Sequence, residues 1–98
     1  MNYLKTPVFR SDKWLRAVAS LPCMLCFREG STQAAHRNVG KGMGMKTDDC
    51  FTAALCVDCH AEIDQGGALT RQERRDRLDQ AILMTVRQLA VDGRLAIK

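Results

Sequence analysis

The sequence lacks any apolar run that approaches the ~20 residues a membrane-spanning helix requires. Its first residues also lack the long apolar stretch of a secretory signal peptide. We therefore expect a cytoplasmic protein with no membrane partner, whose thiols stay reduced. No internal repeat is visible, and a length of 98 residues predicts one domain over residues 1–98.

The charge balance is modestly basic, with 15 lysines and arginines against 11 acids and a net charge of +4. Such a balance is compatible with nucleic-acid binding but not diagnostic of it. In so small a domain an apolar core alone gives modest stability, to which a structural metal would add substantially.

Four of the five cysteines form two Cys-x-x-Cys pairs, Cys23 with Cys26 and Cys56 with Cys59, separated by 29 residues. Thiolates suit zinc, and four of them complete a tetrahedron. Disulfides would need an oxidising compartment, and a redox dithiol usually stands alone on a thioredoxin-like pattern that is not visible here. The spacing therefore predicts a structural zinc site. Iron bound by the same four thiolates is the alternative. We expect the fifth thiol, Cys50, to be buried.

Local patterns predict an α+β fold. Ser11 caps a helix that reaches about Ser20, while Thr70 and Glu73 form a capping box for a long C-terminal helix that Gly93 ends. Between them the pattern predicts strands over residues 32–38 and 51–55 and a helix over residues 56–65, and a final strand is expected over residues 94–98. Strand, loop, strand and helix with cysteines at both ends predict a small treble-clef zinc domain, here with an N-terminal helix and a long C-terminal helix.

Both histidines of the chain lie inside the cysteine frame. His36 ends a predicted strand beside a glycine-rich loop, and His60 directly follows Cys59. On the predicted helix His60 and Asp64 are four residues apart and lie one above the other, so they can hold a divalent cation while neighbouring water stays exchangeable. The alternative is that His60 caps or packs against the zinc knuckle.

Together, His36 at a strand end, the loop, the Cys-x-x-Cys-His sequence and an acid four residues on resemble the HNH endonucleases, also called His-Me finger nucleases. The resemblance implies their fold, a small ββα-metal domain. The likeness covers residues 22–66, and small prophage-encoded nucleases with a four-cysteine zinc site are the most similar group. It implies that His36 is the general base and that His60 and Asp64 bind a catalytic Mg²⁺ or Mn²⁺. It further implies that Asp49, or its neighbour Asp48, orients His36.

The same resemblance implies a metal-dependent endonuclease or nickase that hydrolyses DNA phosphodiester bonds in the bacterial host cytoplasm, in phage or prophage DNA recombination or processing. Ala35 stands where many members carry a metal ligand, and Asp64 stands in place of the usual histidine. A non-catalytic treble-clef module that binds nucleic acid or a recombination partner is the alternative, and an RNA nuclease is a third.

Basic residues at two places are candidates for phosphate contacts. The candidates are Arg37, Lys41 and Lys46 around the glycine-rich loop, and Arg71, Arg74 and Arg75 at the start of the last helix. For the helix the alternative is a solvated end paired with Asp76 and Asp79.

Overall fold

The computed structural model describes residues 8–37, 48–65 and 67–95. In chain order the elements are α1 (Asp12–Ala19), β1 (Thr32–His36), β2 (Thr52–Cys56), α2 (Val57–Gln65) and α3 (Arg71–Val91). In this part of the chain three helices pack on a two-stranded antiparallel sheet, which confirms the predicted α+β class. None of these helices combines the length and apolarity needed to cross a membrane.

The helix ends follow the sequence signals. The backbone N–H of Trp14 donates to Ser11 Oγ at 3.0 Å and so caps α1. At the start of α3 the Glu73 N–H donates to Thr70 Oγ1 at 3.1 Å, and the Thr70 N–H donates back to Glu73 Oε1 at 2.8 Å. Gly93, with φ of +75°, ends α3 in a left-handed turn that few other residues adopt at low cost.

The sheet register aligns Thr32 with Cys56 at one end and His36 with Thr52 at the other. Cys56 is thus the last residue of β2, and α2 begins at Val57 rather than at Cys56 as predicted. All five residues of β2 are buried, because α1 and α3 both contact this strand.

The C-terminal segment departs from the prediction. Arg94 and Leu95 are not in a strand, and residues 96–98 lie outside the described residues. The Arg94 guanidinium instead donates to Ser20 Oγ at 2.7 Å and to the Ala17 carbonyl at 3.2 Å. It therefore satisfies acceptors at the C-terminal end of α1, where a cation is favourable.

A small core lies between the sheet and the helices, with Val18, Leu55 and Leu89 almost completely excluded from solvent. Thr85 joins α3 to β2 within this core. Its hydroxyl accepts from the Ala54 N–H at 2.9 Å and donates to the Ala81 carbonyl at 2.7 Å. This bridge fixes the position of α3 along β2, the strand that leads into the second cysteine pair.

Candidate functional site

The four paired cysteines converge at one end of the sheet. Their Sγ atoms all lie within 4.8 Å of one another, and Cys26 Sγ and Cys56 Sγ are 3.6 Å apart. A zinc–sulfur bond of about 2.3 Å gives neighbouring ligands in a tetrahedron a separation of roughly 3.8 Å. The donor set therefore fits a four-thiolate metal ion, and the predicted grouping of these cysteines is confirmed. Among the described residues they are the one group of three or more potential ligands found this close together.

Backbone N–H groups point at two of the sulfurs. Leu25 and Cys26 donate to Cys23 Sγ at 3.4 and 3.5 Å, and Cys59 donates to Cys56 Sγ at 3.4 Å. Burial acts to raise the pKa of the Cys23 thiol, but the backbone donors outweigh it and bring that pKa down to about 6. One thiolate is therefore favoured at neutral pH even before a cation arrives.

The other sulfurs resist ionisation next to that thiolate. Burial, followed by contact with the neighbouring cysteines, raises the pKa of the Cys59 thiol. The Cys26 pKa is also raised: its backbone contact with Arg28 acts to lower it, but the sulfur contacts, led by Cys56, outweigh that effect. Since four negative sulfurs within 4.8 Å repel one another, full ionisation requires a bound cation.

The turn around the first cysteine pair, residues 23–28, is called the first knuckle here, and it contains a strained residue. Phe27 follows Cys26 and has φ of +65°, the left-handed region that normally favours glycine. The Phe27 N–H donates to the Cys23 carbonyl at 2.8 Å, and the Cys23 N–H donates to the Arg28 carbonyl at 2.9 Å. These bonds close the tight turn that directs both thiols to the same point.

His36 is held by Asp49. The His36 Nε2 and Asp49 Oδ1 atoms are 2.9 Å apart, and the Asp49 carboxylate also accepts from Arg10 Nη1 at 3.0 Å and from the Ser11 N–H at 2.8 Å. The hydrogen bond from His36 contributes most to lowering the pKa of Asp49, followed by that from Ser11. An ionised carboxylate only accepts, so His36 Nε2 carries the proton and donates. In the neutral imidazole this leaves Nδ1 as the acceptor, on a side chain that is 33% exposed.

His60 lies between two polar partners. Its Nε2 is 3.2 Å from Asp64 Oδ2 and its Nδ1 is 2.8 Å from Gln33 Oε1. Adjacent ligands on an octahedral Mg²⁺, at about 2.1 Å from the ion, are separated by roughly 3 Å. The 3.2 Å between His60 Nε2 and Asp64 Oδ2 fits neighbouring positions around such an ion, and it equally fits a direct hydrogen bond between the two side chains. Gln33 is three residues before His36 on β1, roughly 10 Å along a strand, so the Gln33–His60 contact and the His36–Asp49 contact start from different positions on β1.

The predicted phosphate contacts have different surroundings. The Arg37 guanidinium donates to both carboxylate oxygens of Asp79, at 2.8 and 3.3 Å. Arg74 donates to the Asp64 carbonyl at 3.2 Å, which ties α3 to the end of α2. Arg71 and Arg75 are exposed, whereas Lys41, Lys46 and the glycine-rich loop lie outside the described residues.

Three consecutive residues before β2, Asp48, Asp49 and Cys50, differ in their burial and contacts. Asp49 is buried and meets His36, while the adjacent Asp48 accepts from the Phe9 N–H at 3.3 Å. Cys50 is only half-buried rather than buried as expected, and burial raises the pKa of its thiol. Between the two candidates for orienting His36, the structure brings Asp49 into contact.

Comparison with protein families gives one assignment. Residues 1–89 match the model of a family described as "Protein of unknown function (DUF968)". The chain belongs to the DUF968 family. That description assigns no activity, and no curated protein or solved structure matches this DUF968 member.

Three residues that contact the candidate site were not singled out for it from the sequence. Gln33 reaches His60, and Arg10 and the Ser11 N–H reach Asp49. The position of Gln33 depends on the sheet register, which pairs it with Leu55 close to the start of α2. Arg10 and Ser11 are 39 and 38 residues from Asp49 in the chain, so no local pattern connects them to it.

Proposed function

We propose that this protein is a metal-dependent DNA endonuclease or nickase of the HNH type, built on a treble-clef zinc domain. The observation that carries the proposal is the contact between His36 and an ionised, buried aspartate. A buried carboxylate that fixes one imidazole nitrogen as a donor and leaves the other as an acceptor is the arrangement of a general base.

The steps that this chain's residues perform follow from that geometry. Neutral His36 accepts a proton on Nδ1 from a water molecule as the water oxygen attacks phosphorus. The His36 Nε2–H remains directed at Asp49, whose negative charge stabilises the imidazolium that forms. The P–O bond to the leaving 3′-oxygen then breaks, that oxygen takes a proton from solvent, and the imidazolium returns its proton to solvent.

His60 and Asp64 are the residues that would hold the catalytic Mg²⁺ or Mn²⁺. When bound, such an ion would act as a Lewis acid on a phosphate oxygen and would stabilise charge on the leaving oxygen. Mg²⁺ is commonly bound through one or two protein groups with water and phosphate completing its shell, so two ligands suffice. The four cysteines would hold zinc apart from this chemistry and keep α2 and the first knuckle together.

Phosphate contacts would come from the exposed Arg71 and Arg75 and from Lys41 and Lys46. Arg37 contributes less, because Asp79 already neutralises part of its charge. Arg74 is expected to act mainly by holding Asp64, since it donates to the carbonyl of that residue.

A non-catalytic module that binds nucleic acid or a recombination partner is the second candidate function. One observation favours it. Ala35, at the position where many HNH enzymes carry a ligand, is buried and offers no ligand atom. Under that alternative the His60–Asp64 contact is a structural ion pair on α2.

The test is nicking of supercoiled plasmid by zinc-loaded protein after removal of free metal, with Mg²⁺ or Mn²⁺ then added back. We expect nicking that depends on the added ion. Asp49→Asn should lower the rate about 10–100-fold, the equivalent of losing a charged hydrogen bond of about 1.5–3 kcal/mol. Asp48→Asn is the matched control and should keep the wild-type rate. Absence of nicking with either ion, combined with salt-dependent DNA binding, would support the binding module instead.

A further inference from the structure

We propose that Gln33 is a positioning residue for the divalent-cation site, in that it holds His60 with Nε2 presented to Asp64. The inference rests on the proposed function, since it takes His60 and Asp64 as ligands of the catalytic ion. The observation behind it is the pair of contacts on the His60 ring, 2.8 Å from Nδ1 to Gln33 Oε1 and 3.2 Å from Nε2 to Asp64 Oδ2.

The chemistry of the ring gives Gln33 its role. Only the Nδ1–H tautomer of a neutral imidazole donates to the Gln33 carbonyl oxygen and keeps a lone pair on Nε2. A histidine that binds a metal through one nitrogen commonly donates its other N–H to an oxygen acceptor, which fixes the ring and raises its basicity. Gln33 supplies that oxygen from β1, a different element from the one that carries His60 and Asp64.

The position of Gln33 explains how a strand residue orients a helix residue. β1 pairs with β2 so that Gln33 stands opposite Leu55, two residues before α2 begins. Its side chain is therefore at the height of the first turns of α2, where His60 lies. Gln33 is exposed, and its replacement removes no core packing.

The test measures Mn²⁺ affinity of the zinc-loaded protein by electron paramagnetic resonance, without any nuclease assay. Gln33→Met keeps the size of the side chain but removes the acceptor, and we expect it to weaken Mn²⁺ binding about 10–100-fold. Gln33→Glu restores an acceptor and should bind Mn²⁺ at least as tightly as the wild type. Gln80→Met, an exposed glutamine on α3, is the matched control and should leave the affinity unchanged.

His60→Ala distinguishes a failure of the role of Gln33 from a failure of the cation site itself. If His60→Ala weakens Mn²⁺ binding and Gln33→Met does not, the role of Gln33 is refuted while the cation site stands. If Gln33→Glu weakens binding as much as Gln33→Met, Gln33 does not act as an acceptor and the proposal is likewise refuted. If Mn²⁺ binding is the same in wild type and His60→Ala, the cation site itself is wrong and both proposals fail together.

Discussion

Replacing Cys56 is the sharpest test of whether the four-cysteine cluster is a metal centre. Cys56 is completely buried at the end of β2, and its Sγ is 3.6 Å from Cys26 Sγ. Cys56→Ser leaves three thiolates and a hydroxyl that does not ionise at neutral pH, so tight zinc binding should be lost. Because an ion that binds only the folded state stabilises it by mass action, loss of zinc at about 1,000 times its dissociation constant costs about 4 kcal/mol.

That free energy converts to a large change in melting temperature. For a domain of this size about 1 kcal/mol corresponds to a shift of roughly 4–8 °C. We therefore expect Cys56→Ser to melt roughly 16–32 °C below the wild type. Zinc content measured by mass spectrometry should fall from one equivalent to a small fraction.

Cys50→Ser is the matched control, since Cys50 lies outside the cysteine cluster and is half-buried. It should retain one zinc and stay within about 1 kcal/mol of wild-type stability, as substitutions outside named structural features usually do. A Cys56→Ser protein that keeps the wild-type melting temperature without zinc would show that the four cysteines do not stabilise the fold through a metal ion. A Cys50→Ser protein that loses zinc would show that the metal site extends beyond the four clustered cysteines.

Three smaller predictions follow from single features. Phe27→Gly should raise the free energy of unfolding by about 0.5–1 kcal/mol in urea denaturation, because the strain of a left-handed φ at Phe27 is larger than the entropy cost of glycine. A lower free energy of unfolding would contradict this prediction. Thr85→Val should destabilise by about 1–3 kcal/mol, since it strands the buried Ala54 N–H, whereas Thr85→Ser should keep that hydrogen bond. Zinc loading at pH 7 should release at least the two protons of Cys26 and Cys59, because the pKa values of these thiols are raised, and zinc affinity should therefore rise with pH. Calorimetry in buffers of different ionisation enthalpy counts the released protons, and release of none would contradict the prediction.

Much of the fold could be predicted because its signals are local. A cap such as Thr70 with Glu73 acts within one turn, and the doubled Cys-x-x-Cys spacing requires convergence if a metal is to bind. The start of α2 was misplaced by one residue, because Cys56 also completes the pairing of β2 with Thr32. The prediction of a final strand was wrong for Arg94 and Leu95, the part of it that the structure describes, since Arg94 is hydrogen-bonded to the end of α1 instead.

The candidate site was less predictable because its partners are distant in sequence. The identity of the acid beside His36 depended on which of two adjacent aspartates faces inward, and Asp49 does so through contacts with Arg10 and Ser11. Similarly, Arg37 pairs with Asp79 on α3, 42 residues away, although the sequence suggested that Asp79 would balance the arginines of its own helix. These choices depend on sheet register and helix packing, which composition does not encode.

Whether His36 and His60 form a nuclease site is decided by the nicking rate as a function of Mg²⁺ or Mn²⁺ concentration for wild type, His36→Ala and His60→Ala, with zinc content measured in parallel. His36→Ala removes the proposed base, so the rate should fall about 10²–10⁴-fold at every metal concentration while ion binding persists. His60→Ala removes a proposed ligand, so the rate should fall but recover in part at high metal concentration. Zinc should remain in both variants, because the proposed zinc ligands are the cysteines. If both variants nick at the wild-type rate, or if the wild type does not nick with either ion, the proposal that His36 and His60 form a nuclease site is contradicted.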